Sequence, residues 1–198
     1  MRESMIRELM QKALVIALLT ASVLVMAACG GSAEASSGGA EKLQIVTTTG
    51  QIGDIARHVG GDFVDVTALM GPGVDPHLYV ASEGDVDRLV KADVILYNGL
   101  FLEAQMADVL RQIGERKPAI PVAERIEPSR LLPWANYADE YDPHVWFDVT
   151  LWMKAVEAVR DALSDADPDH AATYKTNADA YLKELEELDA YVKQQAAT

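Results

Sequence analysis

The segment Val94-Ile95-Leu96-Tyr97, following Asp93, is apolar at successive positions rather than at alternate ones, and Asn98-Gly99 ends it. A strand of that composition has no face to leave in water. It belongs inside a parallel sheet covered by helices on both sides. The neighbouring sequence keeps the same rule. Leu43-Gln44-Ile45-Val46 reads as a first strand, and Thr47-Thr48-Thr49-Gly50 leads from it into an amphipathic stretch, Ile52 to Val59, stopped by Gly60-Gly61. Phe63 to Met70 reads as a second strand closed by Gly71-Pro72-Gly73. Ser82-Glu83-Gly84-Asp85 reads as a helix start with an acidic first turn, leading into Val86, Leu89 and Val90. Glu103 to Arg116 has helical period and Pro118 to Val122 is a fourth strand. The alternation predicts an α/β fold, a doubly wound and mostly parallel four-stranded sheet.

Beyond the sheet, Glu127 to Asp142 holds Pro128, Pro133, Trp134 and Tyr137 without periodicity and is read as a long functional loop. It delivers the chain to Asp142-Pro143-His144. Asp148 to Leu163 is a helix, and Asp167-Pro168 places a capping Asp before a proline suited to the first helical position. From Asp169 to Gln195 there is no Pro or Gly, and Ala171, Tyr174, Ala178, Tyr181, Leu185, Leu188 and Val192 recur every three or four residues. A helix of that extent is about 40 Å long. It carries no stop signal, so the pattern predicts a second lobe that is missing from this chain. The expected domains are a lobe at 42–166 and a long linker helix at 167–198.

The first 28 residues follow a different rule. Arg2, Arg7 and Lys12 precede an uncharged run from Ala13 to Ala28, and Met26-Ala27-Ala28-Cys29-Gly30 follows at its end. A positive start, an apolar run too short to span a bilayer, and small residues before the chain's single cysteine resemble the lipobox of bacterial lipoproteins, with Met26 where Leu is usual. That resemblance implies a signal peptide at 1–28 and a diacylglycerol on Cys29. Residues 29–41, rich in Gly, Ser and Ala, are read as a flexible tether. The globular part is then extracytoplasmic, held to the bacterial cell membrane at the cell surface or in the periplasm.

Charge narrows the partners. Against 17 Lys and Arg stand 31 Asp and Glu, a net charge of −14, which repels phosphate backbones and excludes nucleic acid while leaving cations open. With one cysteine, no thiolate cage is available, so any metal site must be built from His and carboxylate. Asp-Pro-His occurs twice, as Asp75-Pro76-His77 and Asp142-Pro143-His144. Proline stiffens each loop and sends the preceding Asp into extended backbone, which reduces the entropy lost in fixing an imidazole on a metal. Asp75 and Asp142 are then placed to accept the second ring N–H of His77 and His144 as orienting partners. A His after Pro in a loop is equally an exposed turn residue. The tripeptides alone leave both readings open.

The wider sequence separates them. Gly71-Pro72-Gly73-Val74-Asp75-Pro76-His77-Leu78-Tyr79, then Ala92 to Glu103 (ADVILYNGLFLE), then Asp142-Pro143-His144-Val145-Trp146-Phe147-Asp148 resemble the TroA-like zinc/manganese substrate-binding lipoproteins of ABC transporters. The resemblance runs from Leu43 onward. It implies two α/β lobes joined by a rigid helix, with Mn²⁺ or Zn²⁺ held between them and passed to an ABC transporter permease. His77 and His144 match the two first-lobe ligands, and the second-lobe ligands have no counterpart here, so weak metal binding or none is expected of this chain. Zinc-selective members often carry a His-rich loop before the second motif. Glu127 to Asp142 contains no His, which leans the expectation toward manganese or mixed specificity.

Other residues take plainer readings. His58 is expected to act as a cation at a helix end, His170 to be solvated, and Glu103 to be a helix-start carboxylate. Trp134, Trp146, Trp152, Tyr79 and Tyr97 are read as core or cleft lining, and Glu184, Glu186 and Glu187 as a solvated helix face. Two other functions are weighed. One is a surface adhesin, a label some members of this family have carried. The other is a His/Asp metallohydrolase, against which stands the lack of an HExxH pattern, a nucleophile elbow or a general base beside the histidines. The expectation is a binding protein, not an enzyme.

Overall fold

The computed structural model describes residues 41–135 and 137–197. The expected signal peptide, Cys29 and most of the tether lie outside the described residues.

Four parallel strands form one sheet: β1 (Leu43–Thr47), β2 (Val64–Ala68), β3 (Val94–Tyr97) and β4 (Ala119–Pro121), in the order β2-β1-β3-β4. Consecutive residues of β1 and β3 enter opposite cores. Ile45, Val94 and Leu96 pack on one side with α1 (Gly50–Gly60), α4 (Val149–Ala166) and α5 (Ala171–Ala196). Val46 and Ile95 pack on the other with α2 (Glu83–Lys91) and α3 (Ala107–Gly114). The expected doubly wound α/β lobe is therefore observed.

Local sequence accounts for the helix limits. Thr49 caps α1 by accepting the Ile52 N–H, and Ile52, Ile55, Ala56 and Val59 make its buried stripe. Gly61 ends it at φ 56°, a left-handed position that glycine adopts without strain. Ser82 and Asp85 form a reciprocal capping box on α2. Asp148 caps α4 through Thr150 and Leu151. Between Gly99 and α3 the chain first makes a short 3-10 turn, Ala104–Met106, so the helix starts later than its period suggests. The loop from Glu127 to Asp142 is partly ordered: Pro128–Arg130 is a 3-10 turn, and Pro133 pairs antiparallel with Tyr141.

The α4–α5 junction departs from the expected cap. Asp167 makes no side-chain cap bond. It accepts instead from the Tyr174 hydroxyl (2.6 Å) and from His170 Nδ1 (2.7 Å), because a 3-10 turn at Pro168–His170 brings those groups round to it. Nor is His170 simply solvated, since its ring stacks on Phe63 with centroids 3.9 Å apart. His58 does stand at the end of α1, but it stacks on Tyr181 of α5 at 4.4 Å and bonds the Asp54 carbonyl. Tyr174, Ala178 and Leu185 bury α5 against the lobe, whereas Leu188, Tyr191 and Val192 are exposed. Glu184, Glu186 and Glu187 face solvent as expected. Among the described residues no helix is long and apolar enough to cross a membrane.

The Tyr174 hydrogen bond, and after it those of His170, hold the Asp167 carboxyl below its ordinary value against the cost of burial. A depressed carboxyl stabilises the fold above its unfolded value of about 3.9 and loses that contribution as pH falls through the folded value. Tyr174→Phe is therefore expected to cost about 1.5 kcal/mol in denaturant unfolding at pH 7 and to flatten the loss of stability between about pH 4 and pH 2.

Candidate metal centre

Both Asp-Pro-His segments lie in loops on the sheet's C-terminal side, and both fold the same way at the backbone. Asp75 Oδ1 accepts the His77 N–H at 2.9 Å, and Asp142 Oδ1 accepts the His144 N–H at 3.0 Å. At the ring they differ. Asp142 Oδ1 also takes the His144 Nδ1–H at 2.6 Å, while Asp75 holds only backbone, which corrects its expected role as partner of the His77 ring. Burial pushes the Asp142 carboxyl up, but the two hydrogen bonds from His144 more than offset it and hold it below the ordinary value. The His77 loop is fixed at its far end, where the Tyr79 hydroxyl donates to Asp85 (2.8 Å) inside the α2 capping box.

The two imidazoles, 67 residues apart in sequence, meet with Nε2 atoms 3.2 Å apart. With Nδ1–H committed to Asp142, a neutral His144 presents a bare Nε2 lone pair, and His77 Nε2–H is the donor across the gap. Two nitrogens at 2.0–2.1 Å from one tetrahedral ion stand about 3.3 Å apart. The pair is therefore already spaced as a divalent cation requires. Among the described residues no group of three or more His, Cys, Asp and Glu is placed to hold a metal.

Aromatic rings wall the pair. Trp134 lies 5.4 Å from His77 and edge-on to His144 at 6.3 Å, and Trp146 meets His144 at 5.3 Å. Trp152, by contrast, belongs to the core, and Tyr97 is half-buried. Leu78, Leu132 and Phe147 are exposed. A cavity of about 680 Å³ opens beside them, between the start of α1 and the Gly71–Pro76 segment, but neither imidazole lines it. The histidines stand on an open face.

Glu103 is not the helix-start carboxylate that its position suggests. It is 3% exposed, and its carboxylate accepts from Thr48 Oγ1 (2.6 Å), Asn98 N (2.8 Å) and Gly99 N (3.1 Å). Burial pushes this carboxyl up, against the hydrogen bonds that lower it. It sits where the windings of β1 and β3 diverge, the crevice that open α/β sheets use for ligands.

A family model described as zinc-uptake complex component A, periplasmic (ZnuA), matches residues 45–198. The chain belongs to the ZnuA family. This member is 44% identical over 188 residues to the manganese-binding lipoprotein MntA of Bacillus subtilis, a match covering 95% of this chain and 60% of that one. It is 42% identical over 166 residues to the zinc-binding protein TroA of Treponema pallidum, covering 84% and 53%. The solved structure of that periplasmic TroA superposes with a TM-score of 0.76 over 79% of this chain and 56% of the other, at 42% identity. A Mn-bound periplasmic metal-binding protein from Candidatus Liberibacter asiaticus gives 0.65 at 30% identity, covering 73% and 53%. The chain spans a little over half the length of these ZnuA-family relatives.

The different reach of the two aspartates gives a differential test. Asp142→Ala, which releases the His144 ring, is expected to weaken Zn²⁺ binding about ten- to hundredfold, and Asp75→Ala, which touches only backbone, by less than about threefold. Titration calorimetry on the two variants measures the contrast.

Proposed function

We propose that this ZnuA-family chain is the first lobe and linker helix of an extracytoplasmic solute-binding lipoprotein that captures Mn²⁺ or Zn²⁺ and hands it to an ABC transporter permease. The observation that carries the reading is the 3.2 Å approach of His77 and His144 Nε2, two imidazole nitrogens at the spacing of a metal's coordination sphere, with the His77 proton moved from Nε2 when the ion is held. In this reading the ion is cargo, and ligands from a second lobe complete its shell. Asp142 fixes the tautomer of one ligand, and the tryptophans flank the imidazoles. Relatives named for manganese and for zinc support both ions as cargo. A family of uptake-complex components supports binding rather than catalysis, and none of the relatives named above carries a hydrolase or adhesin name.

The domain limits follow the same reading: signal peptide 1–28, tether 29–41, lobe 42–166 and linker 167–198. A lipid on Cys29 would keep the lobe at the membrane that holds the permease, raising its local concentration there.

In the full-length protein, His77→Ala and His144→Ala are each expected to lower Zn²⁺ and Mn²⁺ affinity by about a hundredfold or more, beyond the effect of an orienting residue. Unchanged affinity in either variant overturns the assignment. Cys29→Ser is expected to shift the protein from the membrane to the soluble fraction of fractionated cells, and retention at the membrane would refute the anchor.

A further inference from the structure

The residues after β3 adopt a backbone that calls for explanation. Gly99, Leu100 and Phe101 stand at φ 78°, 50° and 64°, three successive left-handed residues of which two are not glycine. L-residues with side chains disfavour that region, and such a run persists only where surrounding contacts over-determine it. At Gly99 the reason for glycine is also steric, since a Cβ there would stand 2.8 Å from Pro121 Cβ.

Glu103 supplies the determining contacts. Its two carboxylate oxygens take the N–H groups of Asn98 and Gly99 at the entry to the turn, and Thr48 at the end of β1 fixes the carboxylate from the opposite side. The turn is closed by Leu102 N–H on the Gly99 carbonyl. What the turn holds in place is Asn98, 1% exposed, whose side-chain amide donates to the Gly99 carbonyl and, at 3.0 Å, to the carbonyl of Pro143. Pro143 is the central residue of the second Asp-Pro-His segment. The other side of the turn carries Phe101, which meets Tyr137 edge-on at 6.1 Å, and Tyr137 packs on Trp134 beside the histidines. The His77 loop has its own clip at Asp85 and makes no hydrogen bond with Glu103 or Asn98.

We propose that Glu103 is a positioning residue for metal capture, locking the left-handed Gly99–Phe101 turn so that Asn98 holds Pro143 and sets His144 against His77. The proposal rests on the reading of that pair as metal ligands. Glu103 touches neither imidazole, and its hydrogen-bonded path runs to the loop of one of them, His144, 41 residues away in sequence, through two links. A residue that merely supported the fold would disturb both loops alike. One that positions His144 leaves the backbone of the His77 loop, clipped at Asp85, where it was.

The test uses the full-length protein labelled with ¹⁵N-histidine, with Zn²⁺ alone as probe. His77→Ala and His144→Ala assign the ring signals. Glu103→Gln keeps the shape of the side chain and places an amide N–H₂ against one of the donors it now satisfies. Thr48→Val removes the hydroxyl that fixes the carboxylate. Both are expected to displace the His144 ring and backbone amide signals, and through the Nε2 contact the His77 ring, while leaving the His77 backbone amide in place, and Glu103→Gln to weaken Zn²⁺ binding about tenfold. Asn98→Ala, which cuts the link to Pro143, is expected to do the same with the carboxylate left intact. If Glu103→Gln does not fold, Thr48→Val decides by the same signals. Parental His144 signals and Zn²⁺ affinity in a folded Glu103→Gln or Thr48→Val variant overturn the proposal, as does equal displacement of the two backbone amides. Unchanged Zn²⁺ affinity in His144→Ala would instead remove the metal reading, and the ring signals would still report whether Glu103 sets that loop.

Discussion

Burial of β1 and β3 on both faces is the constraint from which the rest of the lobe follows. Each strand sends neighbouring side chains into opposite cores, so helices must cover both sides and the connections must wind outward in two directions. Outward winding from a shared centre opens a crevice at the C-terminal ends of those two strands. In this protein the crevice is filled from within by the carboxylate of Glu103. The histidine pair stands on loops around it, each held by a separate polar clip. The two imidazoles are thus already together, and a cation held by them, as proposed above, would meet a reduced cost in ordering entropy.

Much of this was legible in the residues. The strand and helix order, the helix start at Ser82 and the stop at Gly60-Gly61 all depend on neighbours within a turn or two, and local pattern reports them well. The two Asp-Pro-His segments stood out by repetition, and the structure brings their rings together. The misreadings share a different cause. Glu103 looks like an acid at a helix start, and only a partner 55 residues away, with a turn whose left-handed backbone no simple pattern announces, makes it a buried acceptor. Asp167 reads as the cap of the helix it precedes, but the 3-10 turn at Pro168–His170 redirects its carboxylate to Tyr174 and His170. His170 reads as solvated, whereas the Phe63 ring from another element stacks on it. One local signal was available and unused: Tyr79 lies six residues before Asp85, within reach of the capping box.

The asymmetry between Asp75 and Asp142 shows why identical tripeptides need not be equivalent. Both carboxylates satisfy the backbone N–H two residues on, a geometry that the Asp-Pro-His sequence itself favours. Reaching the ring as well depends on the rotamer of the histidine, which the surrounding tryptophans and the opposite imidazole constrain. The sequence repeat encodes the loop, and tertiary packing encodes the tautomer.

The exposed half of α5 has a mechanical consequence. Its apolar contacts with the lobe end at Leu185, after the clasps at Asp167 and Tyr181, and about 16 Å of helix continues to Ala196 beyond them. An α-helix is stiff over that distance, so it works as a lever whose fulcrum is the clasped half. A tilt of roughly 5° at the fulcrum carries the tip on the order of 1 to 2 Å, about the scale on which a metal's coordination shell is won or lost. The packing of Tyr174 and Tyr181 therefore sets the angular precision of anything that grips the far end.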